Sequence, residues 1–171
     1  GASCVVCEEK PEIDVPYILV DNARRALAIL SAAWFRHPAK ELKIIGVTGT
    51  NGKTTTTHLI KSIIEECTGG MVGLIGTNAN VFGDVEEEAA RTSPESYDLQ
   101  KLLRRMVDAG CKWVVMEVSS HALVLDRVYG IQYEVGVFTN LTQDHLDFHG
   151  TMEEYLRAKS LLFSQCDKGV I

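Results

Sequence analysis

The sequence has no long apolar run. One of the two longest, residues 26–33, is interrupted by Ser31, and the other covers only the four residues 113–116. Because a membrane-spanning helix needs about 20 predominantly apolar residues, we expect no transmembrane segment. The first residues, Gly-Ala-Ser-Cys, carry no basic segment, so a secretory signal is not expected either.

Basic residues are outnumbered. The 171 residues include 17 Lys and Arg against 23 Asp and Glu, a formal net charge of −6. No basic run is longer than the pairs Arg24-Arg25 and Arg104-Arg105. A face that neutralises nucleic-acid phosphates is therefore not expected. A small anion can still bind at one focused site, because local charge matters more there than net charge.

Cysteines are few and scattered, with an odd count of five. This pattern is typical of reduced thiols and favours a cytoplasmic protein. Cys4-x-x-Cys7 has the spacing of half a redox or zinc site, but no second pair follows it. We therefore interpret this stretch as part of a packed strand.

Apolar runs alternate with helical patterns along the rest of the chain, which predicts an α/β fold. Strands are expected at 3–7, 17–20, 43–47, 71–75, 112–118 and 133–138, and a last one begins at 169. Helices are expected at 23–35, 53–67, 94–109 and 151–165, the third with Ser93 as N-cap and Pro94 in its first turn. Residues 82–91 are interpreted as an acidic loop. We place a domain boundary in the linker 39–42.

The segment Gly49-Thr-Asn-Gly-Lys-Thr54 lies between a predicted strand and a predicted helix, as in a P-loop. Glycines let backbone N–H groups approach phosphate oxygens, Lys53 supplies a cation, and the Thr54 hydroxyl can bind Mg²⁺. The full motif has glycine where this chain has Val47. The pattern predicts nucleotide phosphate binding; the alternative is a glycine-rich turn with an incidental lysine.

Two further polar groups follow predicted strands. Glu117 ends one strand and is a candidate Mg²⁺ ligand, because ligands of open parallel sheets bind at the carboxyl ends of the strands. The alternative is a glutamate that faces water. Asp144, His145, Asp147 and His149 follow the next strand and indicate a site, although imidazole more often indicates zinc. For His121, the sequence leaves two roles open, lining the site or making a structural hydrogen bond. The pattern around Lys159 is that of an ordinary lysine on a helix face.

Three segments together resemble the ATP-dependent Mur ligases: GVTGTNGKTT at 46–55, MEVSSH at 116–121 and FTNLTQDHLDFHG at 138–150. The similarity is greatest to the branch that extends UDP-N-acetylmuramoyl-L-alanyl-D-glutamate in peptidoglycan synthesis. It implies a P-loop-type, mostly parallel sheet with helices on both faces. Residues 1–41 would end an N-terminal domain that binds the UDP moiety. Residues 42–171 would begin the central ATP-binding domain, and the C-terminal domain would be absent.

The resemblance also implies roles for individual residues, with ATP and Mg²⁺ as cofactors. Lys53, Lys159 and His145 would be catalytic, with Lys159 carbamylated, and the metal ligands would be Thr54, Glu117 and His145. The ATP phosphates would be held by Gly49, Thr50, Asn51, Gly52, Lys53, Thr54 and Thr55. The muramoyl peptide would be held by Thr92, Ser93, Ser119 and Arg127. Two positions depart from some relatives, which have glutamine at the place of Leu125 and asparagine at the place of Arg91.

The implied reaction adds diaminopimelate or lysine to UDP-MurNAc-L-Ala-D-Glu. Phosphoryl transfer from ATP converts the γ-carboxylate into an acyl phosphate, which an amine then attacks. Two alternatives stay open. One is a ligase similar to folylpolyglutamate synthetase, and the other is a nucleotide-binding module without ligase activity. We expect the isolated chain to be inactive, because the domain that binds the amine would be absent.

Overall fold

The computed structural model describes residues 2–12 and 14–171, in which strands and helices alternate. The strands are β1 (Val5–Cys7), β2 (Tyr17–Leu19), β3 (Lys43–Thr48), β4 (Val72–Ile75), β5 (Ala79–Phe82), β6 (Val85–Glu88), β7 (Trp113–Glu117), β8 (Tyr133–Phe138) and β9 (Cys166–Val170). The helices are α1 (Ala23–Trp34), α2 (Lys53–Thr68), α3 (Ser96–Asp108), α4 (Ser120–Val124), α5 (Leu146–His149) and α6 (Met152–Ser160). Two 3₁₀ turns cover Pro38–Glu41 and Leu161–Gln165.

Seven strands form the main sheet in the order β6-β5-β4-β7-β3-β8-β9, and β1 pairs with β2 in a separate parallel ribbon. The strands β4, β7, β3, β8 and β9 are mutually parallel, whereas β5 and β6 are antiparallel to their neighbours. The predicted α/β class with a mostly parallel sheet is therefore confirmed. The carboxyl ends of β3, β7 and β8 lie at one edge, which is where the candidate site forms.

Alternate side chains of the central strands enter two separate cores, as the pleat requires. Ile44 and Val114 belong to the core on the α3 side, together with Leu103 of that helix. Ile45 and Val115 belong to the other core, which Ile60 and Ile64 of α2 partly cover. Helices therefore pack on both faces, which explains why the central strands are nearly continuous apolar runs.

The predicted acidic loop at 82–91 is wrong for its first half. Residues 79–88 form the hairpin β5–β6, with Gly83 at φ 55° in the turn between Phe82 and Val85. Glycine at the first central position is typical of two-residue hairpin turns. Glu87 is also more than a solvated charge, because it forms a two-point ion pair with Arg105 of α3 at 2.8 and 2.6 Å.

The predicted start of the third helix is also wrong. Ser93 does not cap it: its buried hydroxyl donates to the carbonyl of Glu117 at 2.9 Å and accepts from the N–H of Ser119 at 3.0 Å. α3 begins at Ser96, with Glu95 in the N-cap position. The hydrogen bonds of Ser93 to the end of β7 therefore replace the helix-capping bond that its local sequence predicts. The last helix is likewise shorter than predicted, because α6 ends at Ser160 and a 3₁₀ turn continues the chain.

The N-terminal elements pack against the main sheet unit through α1. Asn22 caps this helix by accepting from the N–H of Arg25 at 2.9 Å. Arg25 also pairs with Asp126 at 3.2 Å, in the segment that follows α4.

The proposed domain boundary at 39–42 overlaps the first 3₁₀ turn and stays a prediction. Residues 1 and 13 of the proposed N-terminal part lie outside the described residues. Within the described residues, no helix is long and apolar enough to cross a membrane.

Candidate nucleotide and metal site

The turn between β3 and α2 has the backbone of a phosphate-binding loop. β3 ends at Thr48 and α2 begins at Lys53. Gly49 has a φ of 137° and Gly52 one of 81°, in the region that favours glycine. The first N–H groups of the 16-residue helix have no partner within the helix, and its dipole adds positive potential at the same end. This end of the helix is therefore suited to bind an anion.

The segment after β8 braces this turn. The carbonyl of Asn140 accepts from the N–H of Thr50 at 2.9 Å, and its side-chain oxygen accepts from the N–H of Asn51 at 3.0 Å. The hydroxyl of Thr139 donates to the carbonyl of Asn51 at 2.7 Å, and Thr142 donates its N–H to the hydroxyl of Thr50 at 3.0 Å. Neighbouring strands thus bring residues 139–142 onto the loop, although the sequence analysis assigned them no role of their own.

Two lysines donate to one carbonyl of the loop. Lys53 Nζ lies 3.0 Å from the carbonyl oxygens of both Gly49 and Thr50, and Lys159 Nζ lies 2.8 Å from that of Gly49. Lys159 is buried, with only 2% of its surface exposed. Burial, together with the nearby Lys53, lowers the pKa of Lys159 to about 8, against a small opposing effect of Asp144. Burial also lowers the pKa of Lys53, opposed by Glu117 and Asp144. Two cations close together form a site that favours anions.

The low pKa of Lys159 predicts a specific pH dependence of stability. Between pH 8 and its ordinary pKa of 10.5, the unfolded chain holds a proton that the folded chain releases, so the folded state gains stability as pH rises. Burying the charged Lys159 ammonium lowers the free energy of unfolding by about 3 kcal/mol. This cost is complete below pH 8 and absent above pH 10.5. We therefore expect the free energy of unfolding, relative to that of Lys159→Met, to rise by this amount from pH 7.5 to 10.5.

Denaturant titrations of both proteins in CO₂-free buffer measure this difference. Lys53 is present in both, so its own titration largely cancels. Equal pH dependence of the two proteins contradicts the lowered pKa of Lys159.

Glu117 is almost completely buried at the end of β7, and three groups donate to its carboxylate. The hydroxyl of Thr54 donates to Oε1 at 2.9 Å, the N–H of Thr77 donates to Oε1 at 3.0 Å, and the hydroxyl of Thr77 donates to Oε2 at 2.9 Å. The reading of Glu117 as a glutamate that faces water is therefore wrong. Sequence reasoning missed Thr77, although it follows β4 at the same edge of the sheet.

The donor set around Glu117 fits Mg²⁺. This ion prefers hard oxygen ligands and is usually bound through one or two carboxylates, with phosphates and water completing its shell. Glu117 and Thr54 supply a carboxylate and a hydroxyl beside the phosphate-binding turn. Among residues 2–12 and 14–171, no three His, Cys, Asp or Glu residues are grouped as a ready-made metal site. A closed zinc site is therefore not indicated by the described part of the chain.

Three of the histidines, His121, His145 and His149, have their rings close together in an aromatic cluster. The ring of His121 lies 5.0 Å from that of His145, 5.6 Å from that of His149 and 4.2 Å from that of Phe148, between ring centres. His149 Nε2 is 2.9 Å from the hydroxyl of Ser120. Burial lowers the pKa of His121 and of His149, which favours neutral rings. His145 is more exposed, has a φ of 51°, and its ring faces that of Tyr155 at 6.2 Å.

Three of the four residues expected to hold the muramoyl peptide lie close to Glu117. The hydroxyl oxygens of Thr77 and Thr92 are 3.0 Å apart, and those of Ser93 and Ser119 are 3.4 Å apart. Arg127 is paired with Glu95 at 2.9 Å. Of the two departures, Leu125 is the C-cap residue of α4, and Arg91 lies 3.5 Å from Glu95. Thr55, by contrast, is exposed on the first turn of α2.

This combination of fold, phosphate-binding turn and buried carboxylate is matched by a known family. The family model described as the Mur ligase middle domain matches residues 47–171. The chain belongs to this family.

Relatives within the family are similar over the whole chain. A UDP-N-acetylmuramoyl-L-alanyl-D-glutamate–2,6-diaminopimelate ligase of Clostridium perfringens (strain 13 / Type A) is 54% identical over 173 residues, which are 100% of this chain and 36% of that protein. A solved structure of a ligase with the same description has a TM-score of 0.83 at 29% identity and covers 99% of this chain and 35% of its own. The chain thus spans about a third of the length of these relatives.

A more distant structure shares the fold alone. E. coli FolC in complex with ADP, without folate substrate, has a TM-score of 0.61 at 22% identity, over 84% of this chain and 40% of that one. This likeness shows a shared fold and assigns no substrate, because one fold serves different functions.

Proposed function

We propose that this chain is the nucleotide-binding part of an ATP-dependent ligase that joins an amino acid to the peptide of UDP-MurNAc-L-Ala-D-Glu. The observation that carries the proposal is the buried carboxylate of Glu117, bonded to Thr54 at the start of α2. A P-loop threonine and a strand-end carboxylate are the parts that phosphoryl transfer from a nucleotide requires. The lysine pair on Gly49 and the likeness to named diaminopimelate ligases support the same reading.

Thr54, Glu117 and His145 are the residues we propose to hold Mg²⁺. When bound, the ion neutralises charge on the nucleotide phosphates. His145 follows β8 at the same edge of the sheet, where its ring lies 5.0 Å from that of His121 and its N–H donates to the carboxylate of Asp144 at 2.8 Å. The first-turn N–H groups of α2, that of Thr55 among them, orient the phosphates, and the turn before the helix is formed by Gly49, Thr50, Asn51 and Gly52.

Lys53 and Lys159 have different proposed roles at the same carbonyl. Lys53 is half-buried at the helix start, where its ammonium stabilises charge on the transferred phosphoryl group. Lys159 is uncharged for part of its population near neutral pH because its pKa is about 8. A neutral amine can add to CO₂, forming an N–C bond and releasing one proton, which yields an anionic carbamate. This exchange of charge would relieve the crowding of two cations.

The acceptor is held, in this proposal, by Thr92, Ser93, Ser119 and Arg127. The three hydroxyls lie within a short hydrogen-bonded chain next to Glu117, and Arg127 supplies a permanent positive charge for a carboxylate. This arrangement brings the carboxylate to be activated close to the nucleotide phosphates. The added amino acid is proposed to be diaminopimelate, because the relatives at 50–56% identity carry that name. A cytoplasmic location follows from the nucleotide substrates.

The identity of the acceptor is tested by phosphate release from ATP in a protein of natural length that carries this chain. We expect release to require both UDP-MurNAc-L-Ala-D-Glu and diaminopimelate, and not to occur with a folate and glutamate. The isolated 171-residue chain serves as the control and should release no phosphate in response to either acceptor. Turnover with the folate, or amide formation by the isolated chain, contradicts the proposal.

A further inference from the structure

We infer that Glu95 is a positioning residue that holds the Arg127 guanidinium in place for the acceptor carboxylate. The inference rests on the proposed function and adds to it a residue that acts through another. The ion pair joins Glu95 Oε1 to Arg127 Nη2 at 2.9 Å, and the Arg127 side chain is 12% exposed. The Glu95 side chain is 35% exposed, so the arginine is the more buried member of the pair and solvent screens the pair in part.

The position of Glu95 in the helix makes this contact unusual. It occupies the N-cap of α3, where a side chain normally accepts from the helix N–H groups. Glu95 makes no such bond, and its carboxylate is directed to Arg127 and, at 3.5 Å, to Arg91. The Glu95 carboxylate therefore contacts Arg127 and leaves the first N–H groups of α3 without a side-chain cap.

The backbone around Arg127 is fixed independently of its side chain. The hydroxyl of Ser96 donates to the carbonyl of Arg127 at 3.0 Å, and the N–H of Arg127 donates to the carbonyl of Ala122 at 2.9 Å. Glu95 therefore governs the direction of the guanidinium rather than the path of the chain. A long, flexible side chain needs such a partner to present a planar group in one orientation.

Arg127 keeps hydrogen-bonding capacity for a ligand. Its Nε is buried and has no hydrogen-bond partner among the described residues. A guanidinium has five N–H donors, and a buried donor without an acceptor is costly. The group formed by Arg91, Glu95 and Arg127 carries one net positive charge. A single carboxylate would balance the charge of this group and could accept from the unpaired Arg127 Nε–H. The acceptor peptide carries such a carboxylate.

Two variants separate positioning from simple charge. Glu95→Ala removes both the orientation and the negative charge, whereas Glu95→Gln removes the charge and keeps an oxygen that can accept from Arg127. If Glu95 acts by charge, both variants make the site more positive and lower the KM for the acceptor. If it acts by positioning, Glu95→Ala raises this KM by roughly 10-fold to 100-fold, and Glu95→Gln restores most of the loss.

The experiment measures KM and kcat with UDP-MurNAc-L-Ala-D-Glu in a protein of natural length that carries this chain. We expect the KM for ATP to stay unchanged, and Asp98→Asn, an exposed acid on the same helix, to behave as wild type. Thermal unfolding of Glu95→Ala checks that the variant folds. An unchanged acceptor KM in Glu95→Ala, or equal effects of Ala and Gln, overturns the inference. Failure of the wild type to use this acceptor overturns the proposed function instead.

Discussion

Replacing Lys53 by alanine should lower the affinity of the chain for ATP–Mg²⁺ by at least about 100-fold. Lys53 Nζ is held by two carbonyls of the turn, which places its charge where the nucleotide phosphates would lie. The variant should fold at least as stably as the wild type, because burial and the nearby Lys159 make this pair of cations costly. Isothermal titration calorimetry measures the affinity, and thermal unfolding measures the stability.

Lys61→Ala is the matched control for this experiment. Lys61 lies two turns further along α2 and pairs with Glu65 at 2.6 Å, away from the phosphate-binding turn. Its removal takes one positive charge from the same helix and should leave the affinity unchanged. Equal losses in the two variants would indicate a general charge effect, and an unchanged affinity in Lys53→Ala would exclude the phosphate-binding role.

Replacing Gly49 by alanine should cost about 3 to 5 kcal/mol of folding free energy. A Cβ built on Gly49 would lie 2.0 Å from the hydroxyl oxygen of Thr139 and 3.1 Å from the backbone nitrogen of Asn140. The φ of 137° adds strain for any residue with a side chain. The brace from residues 139–142 cannot move away without losing its bonds to the loop, so denaturant unfolding should show the loss directly.

Gly52→Ala provides the comparison within the same loop. Gly52 has a φ of 81°, but nothing lies within 4 Å of a Cβ built there. The variant should therefore lose only about 1 kcal/mol, from backbone strain alone. Similar losses at the two positions would mean that the contact with Thr139 does not matter, and would contradict the description of residues 139–142 as a brace.

Local patterns predicted the elements of the sheet well where one signal dominated. The strand predicted at 43–47, the helix predicted from Lys53 and the strand predicted at 133–138 agree with β3, α2 and β8 to within one residue at these bounds. Prediction failed where a distant partner changed the outcome. Ser93 has the pattern of a helix cap, yet the end of β7 takes its hydroxyl. The acidic stretch was mistaken for a loop because Glu87 of β6 is paired with Arg105 of α3, a partner 18 residues away in the sequence.

The sequence predicted individual residues of the candidate site but not the contacts that join them. The glycine turn and Glu117 are visible as a motif and as a strand end, because each depends on a short stretch of sequence. Lys159 is 110 residues from Gly49 in the chain, and only the fold reveals that it is buried against that carbonyl. Thr77 and Glu95 were missed for the same reason, since neither belongs to a motif and both act through partners more than 30 residues away.

The two borders of the sheet differ in a way that bears on self-association. β6 is an outer strand, and its alternate residues Glu86 and Glu88 place like charges along that border. A second copy docking there as an extra strand would meet electrostatic repulsion as well as lost hydration. β9, at the opposite border of the described sheet, carries the oppositely charged neighbours Asp167 and Lys168. The like charges on β6 therefore oppose edge-to-edge pairing of two copies through that strand.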